Sequence, residues 1–227
     1  SGSSVRFVLP NSNDSKFFKH KTYSDGFTSL TASSVDYDSK LKQATRMIIV
    51  NDVNPSEYVF CLKNLLSLEL GNTNLTLLPD IANLKNLTLL RIDTDNGMIG
   101  ESLPGKIGQL SWLSTLSFTK INNLKSLPVQ IGLLSRLQSL ILAQIPNLEN
   151  ISPLSIARLT ELRTLNFIDV PKLSKHPNPM GSFQKLTNLE LTNTNLSDLQ
   201  LKNLQQLSSL VISSNLAMSS IPNQRYA

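Results

Sequence analysis

The sequence contains few of the residues from which catalytic and metal sites are built. Among its 227 residues there is one cysteine, Cys61, and there are two histidines, His20 and His176, which lie far apart in the chain. A single cysteine excludes an internal disulfide, which favours a reducing compartment or secretion without disulfides. We expect Cys61 to be a buried apolar residue, and we predict no catalytic residue, no cofactor and no metal site.

Long apolar runs and aromatic side chains are also scarce. No run of 18 apolar residues occurs, so the sequence predicts no membrane-spanning helix and no membrane insertion. No secretory signal is apparent either. The one tryptophan, Trp112, directly precedes a leucine of the repeat described next, where half-buried packing is favoured over a role as an anchor for a partner.

Leucine, in contrast, recurs at a fixed spacing along most of the chain. A triplet of apolar residues occupies positions i, i+3 and i+5, a spacing that neither a regular helix nor a regular strand explains. Seven such triplets follow one another with steps of 22, 26, 24, 25, 24 and 21 residues. Their first members are Leu65, Leu87, Leu113, Leu137, Leu162, Leu186 and Leu207, and a weaker eighth triplet, Ala44, Met47 and Ile49, precedes them.

This spacing predicts a stack of similar turns. The second and third residues of a triplet are two apart, so their side chains leave one short strand on the same side. One turn cannot bury its own apolar side, so only a stack of turns is stable. We therefore divide the chain into an N-terminal capping segment, residues 1–43, and a repeat domain, residues 44–227.

The repeat resembles that of the leucine-rich-repeat family over residues 44–222. The motif LPxxIxxL, or a form of it, recurs as LPDIANL (Leu78–Leu84), as LPGKIGQL ending at Leu110 and as LPVQIGLL ending at Leu134. The resemblance implies an α/β fold, a right-handed leucine-rich-repeat solenoid (horseshoe) of about seven to eight turns with a concave parallel β-sheet. Repeats of this variant are similar to those of plant intracellular immune receptors, some animal signalling scaffolds and several bacterial effectors.

Residues 1–43 do not follow the repeat, and the role we predict for them is a polar cap over the first turn. The alternation in Val5–Leu9 predicts an edge strand. Residues Ser34–Ala44 predict a short helix that closes the first turn. Lysines around Phe17 and Phe18 favour a solvated surface over two buried aromatics, rather than a basic patch for an anionic partner.

The segments after the triplets predict short helices on the convex side. Pro79 suits a first helical position, where its missing N–H is no loss. Ser152 as N-cap and Pro153 as first helical residue predict a better-defined helix. Ile156 and Leu159 lie three residues apart in it, so one side of this helix is expected to pack on the core.

Three features depart from a regular repeat. The insertion at 93–100 predicts a protruding loop, and the prolines in 175–183 argue against a helix there. Leucine-rich repeats often place asparagine at i+8, where its side chain bonds the backbone of the corner. Here Ile121, Ile145 and Val170 hold that position, so these corners must satisfy their backbone in another way.

The side chains between and after the triplet residues point out of the sheet and form the predicted concave face. We take eleven of them as candidate partner-binding residues: Glu69, Leu89, Arg91, Asp93, Lys120, Ile141, Asn166, Ile168, Asp169, Glu190 and Val211. They include four acids and two bases, although the whole chain carries a net charge of +5. Phosphate binding requires clustered lysine and arginine, so we predict no nucleic-acid partner. The face has no aromatic residue, which leaves its aliphatic side chains and Arg91 as anchors.

These observations predict a non-enzymatic protein-protein interaction module with a protein partner. By resemblance, we interpret it as the target-binding leucine-rich-repeat domain of a bacterial effector that acts on host proteins. Its location would be intracellular, or the host cytoplasm after translocation. Two alternatives stay open: the ligand-sensing array of a plant-type intracellular immune receptor, and the substrate-targeting half of a ubiquitin ligase whose catalytic domain lies outside this chain.

Overall fold

A computed structural model describes residues 4–8, 16–19, 43–50, 59–60, 62–72, 81–94, 100–173, 182–196, 201 and 204–215. Its strands are β1 Ser4–Val8, β2 Lys16–Lys19, β3 Arg46–Val50, β4 Ser67–Gly71, β5 Leu89–Asp93, β6 Thr115–Thr119, β7 Ser139–Ala143, β8 Thr164–Val170, β9 Asn188–Thr194 and β10 Ser209–Ser213. Short 3₁₀ segments, Ile81–Asn83, Gly105–Gln109 and Val129–Leu133, and one α-helix, α1 Pro153–Ile156, lie between strands of this described part.

All ten strands belong to one sheet, in the order β10-β9-β8-β7-β6-β5-β4-β3-β1-β2. From β4 to β10 every strand pairs in parallel with its predecessor in the chain. Each turn of the repeat therefore adds one strand, as the triplet spacing predicts. Because β3 carries Met47 and Ile49 and pairs in parallel with β4, the weaker eighth triplet contributes a strand to the stack.

The N-terminal strands pair differently from the repeat. β1 runs antiparallel to β3, with Ser4 opposite Val50, and β2 runs antiparallel to β1. The strand predicted from Val5–Leu9 is present, but its prediction as an edge strand is wrong, because β2 pairs on its outer side. The predicted helix Ser34–Ala44 lies almost wholly outside the described residues, and the boundary at residue 43 stays a prediction.

The core runs through the stack as one column of triplet residues. In the turn of β6, Leu113, Leu116 and Phe118 have no exposed surface. Each turn also contributes apolar residues from the convex side, such as Ile107 and Leu110, which are buried to the same extent. No turn closes a core by itself, so burial on both sides of every turn depends on its neighbours.

The convex side carries a second, shorter ladder that joins three turns. Single parallel bridges pair Ser102 with Ser126 and Ser126 with Asn150. The N–H of Ser126 donates to the carbonyl of Glu101 at 3.2 Å, and the N–H of Asn150 donates to the carbonyl of Lys125 at 3.2 Å. The turns are thus hydrogen-bonded to one another on both sides of the core.

Helix α1 starts at the predicted residue, with Ser152 at the N-cap position as predicted but without a side-chain cap. Pro153 is its first residue, and Ile156 and Leu159 are fully buried, as the spacing predicts. The side chain of Ser152 makes no capping hydrogen bond. Instead, the Ser152 carbonyl accepts from the N–H of Ser155 at 3.1 Å and that of Ile156 at 3.2 Å. Pro79 and most of 175–183 lie outside the described residues.

Candidate functional site

The outward positions of adjacent strands lie side by side on the concave face. In β4, Leu68 and Leu70 are buried, whereas Ser67, Glu69 and Gly71 are partly exposed. The strand register then builds a central row of Glu69, Arg91, Ser117, Ile141, Asn166, Glu190 and Val211. Residues far apart in sequence therefore become neighbours on one surface.

All eleven candidate residues lie on this face or at its border. Ten of them are in strands, and Lys120 directly follows β6. None of the eleven is buried. Ser117 in the central row is only 4% exposed, because it lies between the longer side chains of Arg91 and Ile141.

The N-terminal half of the concave face carries an ordered set of charges. The carboxylate of Glu69 lies 2.7 Å from Arg46 Nη2 and 3.2 Å from Arg91 Nη1. Asp93 Oδ1 and Lys120 Nζ are 3.8 Å apart on the neighbouring strands. Glu69 thereby holds two guanidinium groups in place on the open side of the sheet.

This cluster corrects the predicted charge of the face. Arg46 is in register with Ser67, so it belongs to the concave face and was missed by the sequence analysis. From β3 to β10, the face then has four acids and three bases, and in its N-terminal half the three bases outnumber the two acids. Arg46 could have been identified from the weak triplet that begins at Ala44, because it lies two residues after the first member of that triplet.

The C-terminal half of the concave face is apolar and amide-rich. Ile141 lies in the central row and Ile168 in the row beside it, next to Ala143. Asn166 Nδ2 donates to Glu190 Oε2 at 3.0 Å. The buried Asn166 Oδ1 accepts no hydrogen bond within the described residues. An acceptor of this kind is costly unless a donor reaches it.

The border of the face is set by corners in the left-handed conformation. The residues with positive φ, between 48° and 59°, are Asn72, Lys120, Gln144, Asp169, Asn193 and Ser214. Such a corner turns the next residue inward, and Ile121 and Ile145 are indeed fully buried. The N–H of Lys120 donates to the Ala143 carbonyl at 2.9 Å, and that of Gln144 to the Ile168 carbonyl at 2.7 Å. These corners thus satisfy their backbone through the next turn.

Four of these corner residues border a polar groove of about 430 Å³. They are Lys120, Gln144, Asp169 and Asn193, and Asn122, Pro146 and Pro171 form the rest of the lining. Asn193 Nδ2 donates to Asp169 Oδ1 at 3.0 Å across two turns. Two candidate residues, Lys120 and Asp169, therefore border the same shallow groove.

Comparison with solved structures agrees with this architecture. A leucine-rich-repeat protein of Leptospira interrogans is 24% identical, with a TM-score of 0.66, and the match covers 81% of this chain and 52% of that one. The chain has the leucine-rich-repeat fold. No protein-family model and no curated protein sequence matches it.

Two other similar structures contain leucine-rich repeats with bound ligands. The plant peptide hormone receptor RGFR1 in complex with RGF2 is 24% identical, with a TM-score of 0.57, covering 72% of this chain and 27% of that one. TLR13 in complex with a single-stranded RNA is 22% identical, with a TM-score of 0.55, covering 72% and 23%. The leucine-rich-repeat chain therefore spans about half of the leptospiral structure and about a quarter of the other two.

Two corners of this leucine-rich-repeat structure differ from the rest. Thr94, expected beside the concave rows, is fully buried, with its N–H donating to the Thr119 carbonyl at 3.1 Å. It is not one of the left-handed residues, so its side chain turns inward. Asn215 bonds backbone groups with its side chain, as expected of an asparagine at i+8. Its Nδ2 donates to the Leu191 carbonyl at 2.7 Å, and its Oδ1 accepts from the N–H of Thr194 at 2.9 Å.

Trp112 lies outside the concave face. Its side chain is 50% exposed, and the guanidinium carbon of Arg136 stands 3.7 Å from its ring centroid. This stacking agrees with half-buried packing, and a role as an anchor stays untested. Cys61, His20, His176 and residues 95–99 of the predicted loop lie outside the described residues.

Within the described ranges, no group of three or more His, Cys, Asp or Glu side chains could hold a metal ion. No helix in those ranges is long and apolar enough to cross a membrane. That the chain is non-enzymatic and binds no cofactor stays a prediction.

Proposed function

We propose that this chain is a protein-protein interaction module that binds its partner on the concave face. The observation that carries the proposal is the position of Ile141 and Ile168 on the solvent side of the sheet. Folding needs apolar residues at the inward positions, which Leu140 and Leu142 already fill. Aliphatic side chains at the centre of a surface, with charged residues beside them, are typical of the core and rim of a protein interface.

The polar groups of this surface are ordered before any partner binds. Glu69 fixes Arg91 at 3.2 Å, and Glu190 fixes Asn166 at 3.0 Å. A surface that is already ordered loses less conformational entropy on association.

For the biological setting, we propose the target-binding domain of a bacterial effector that acts on host proteins. A bacterial leucine-rich-repeat protein with a similar fold supports this setting. The single cysteine agrees with a protein that works in a reducing cytoplasm. Four acids beside three bases do not favour phosphate binding. Because the TLR13 structure contains RNA, single-stranded RNA belongs in the test.

The decisive experiment compares two folded double variants. Arg91→Glu with Ile141→Asp changes the concave face, and Lys85→Glu with Asn83→Asp changes exposed residues in and after the convex segment Ile81–Asn83 as the matched control. Neither change removes a buried core residue, so we expect both variants to fold, as checked by circular dichroism and thermal melting. Proteins captured from plant and animal cell lysates by the wild type would be identified by mass spectrometry, purified and measured by calorimetry.

We expect a purified host protein to bind the wild type and the convex control equally, and the concave variant at least about tenfold more weakly. A partner that binds the folded concave variant as tightly as the wild type would overturn the proposed site. Retention of single-stranded RNA at physiological salt, lost in Arg91→Glu, would replace the protein partner by a nucleic acid.

A further inference from the structure

A second surface, on the convex side, exposes large apolar side chains that the fold does not need. Val129 is 60% exposed, Leu133 54% and Leu154 79%. They project from the 3₁₀ segment Val129–Leu133 and from α1, on the side of the turns away from the concave face. The core below them is complete, since Ile131 and Ile156 are fully buried.

The repeat itself shows that these apolar residues are not required. In the preceding turn, the segment Gly105–Gln109 has the same pattern, so Gly105 corresponds to Val129 and Gln109 to Leu133. That turn folds with a glycine and an exposed amide at these two positions. The apolar pair at 129 and 133 is therefore not needed to close the turn.

These residues line one groove of about 320 Å³. Its walls include Val129, Leu133, Leu154, Gln130, Ser152 and Arg158. The volume is at the lower end of the range of ligand pockets, which suits one or two large side chains. Among the described residues, no carboxylate lines the groove, and Arg158 supplies the one charge of its lining.

We propose that this convex groove docks a segment of a partner protein that carries bulky aliphatic or aromatic side chains next to carboxylates. The apolar walls receive the large side chains, and Arg158 pairs with a carboxylate at the rim. The charge of the groove selects the acidic partner, because a basic segment would bring like charges together. The site is separate from the concave face, so the chain would hold two partners or two parts of one.

The test selects ligands from a displayed library of random peptides on the immobilised full chain. We expect the selected peptides to combine Leu, Ile, Phe or Trp with Asp or Glu. Binding of a synthetic copy, measured by calorimetry, should fall at least about tenfold in Leu133→Asp with Leu154→Asp. Val211→Asp is the matched control, because Val211 is an exposed aliphatic residue, 44% accessible, on the concave face. It should leave binding unchanged, as should Arg91→Glu with Ile141→Asp.

A charge exchange tests the role of Arg158. Arg158→Glu should weaken the selected peptide, and replacing the carboxylates of that peptide with lysines should restore binding to this variant. Selected peptides that bind the Leu133/Leu154 variant as tightly as the wild type would overturn the proposal, as would a selection without enriched peptides. Binding to phosphatidylserine vesicles that is lost in the same variant would assign the surface to a membrane instead.

Discussion

At the residue scale, the left-handed corners control how the chain leaves each strand. Gln144 has φ 53° and an exposed side chain, so it contributes conformation rather than burial. The left-handed region costs about 1–2 kcal/mol for any L-residue, Gln144 included, and a β-branched residue adds a further steric cost of about the same size. We predict that Gln144→Val lowers the free energy of unfolding by about that amount, and that Gln144→Gly leaves it nearly unchanged. Urea unfolding followed by circular dichroism measures both.

Gln138 provides the control within the same turn. It is exposed, precedes β7 and is not one of the left-handed residues. Gln138→Val should change the free energy of unfolding by less than about 0.5 kcal/mol. Equal effects at 138 and 144 would mean that the corner at 144 does not hold its backbone in the left-handed region.

At the element scale, glycines allow adjacent convex segments to approach closely. A Cβ on Gly132 would lie 2.7 Å from the Ser155 carbonyl oxygen, and one on Gly108 would lie 2.5 Å from the Gln130 carbonyl oxygen. Backbone atoms cannot move aside without separating the turns. We predict that Gly132→Ala lowers the free energy of unfolding by about 1–3 kcal/mol, as overpacking does elsewhere. Thermal and urea unfolding of the full chain give the value.

Gly105→Ala shows whether a loss of stability comes from close backbone packing or from replacing a glycine with alanine as such. Its Cβ would meet only side-chain atoms of Gln130, the nearest at 3.0 Å, and that side chain is exposed and can rotate away. The variant should keep the stability of the wild type. If Gly105→Ala and Gly132→Ala were equally destabilised, close backbone packing would not be the cause.

Elements that follow from local spacing were predictable, and those that depend on other parts of the chain were not. The triplets fix strands β3 to β10, because inward positions must be apolar in every turn. Nothing in Lys120 or Gln144 signals a left-handed backbone, since neither residue type favours it. The pairing of β2 outside β1, and the place of Arg46 beside Glu69, arise from register between distant segments. The rows of the concave face were therefore predictable from the sequence, whereas the additional positive charge of Arg46 in its N-terminal half was missed.

At the scale of the whole molecule, stability should vary along the stack. Central turns have a neighbour on both sides, and Leu140 in β7 is fully buried. β10 is the last strand of the described sheet, and its equivalent residue, Leu210, is only partly buried. Stability in a solenoid is close to a sum over turns and their interfaces, so a turn with fewer contacts opens first. We predict that amides of β10 exchange with solvent faster than those of β7, as measured by hydrogen–deuterium exchange.

Substitutions at Leu140 and Leu210 test the same difference between β7 and β10 through the free energy of unfolding. Leu140→Ala removes a fully buried side chain and should lower the free energy of unfolding by about 2–5 kcal/mol. Leu210→Ala removes a partly buried side chain and should lower the free energy of unfolding by about 1 kcal/mol. Exchange should also accelerate on both sides of the central variant, because its cavity weakens two interfaces, whereas the effect at Leu210 should stay within β9 and β10. Equal losses from the two variants would mean that β10 is as tightly enclosed as the centre, and the stack would then have no weaker end at this strand.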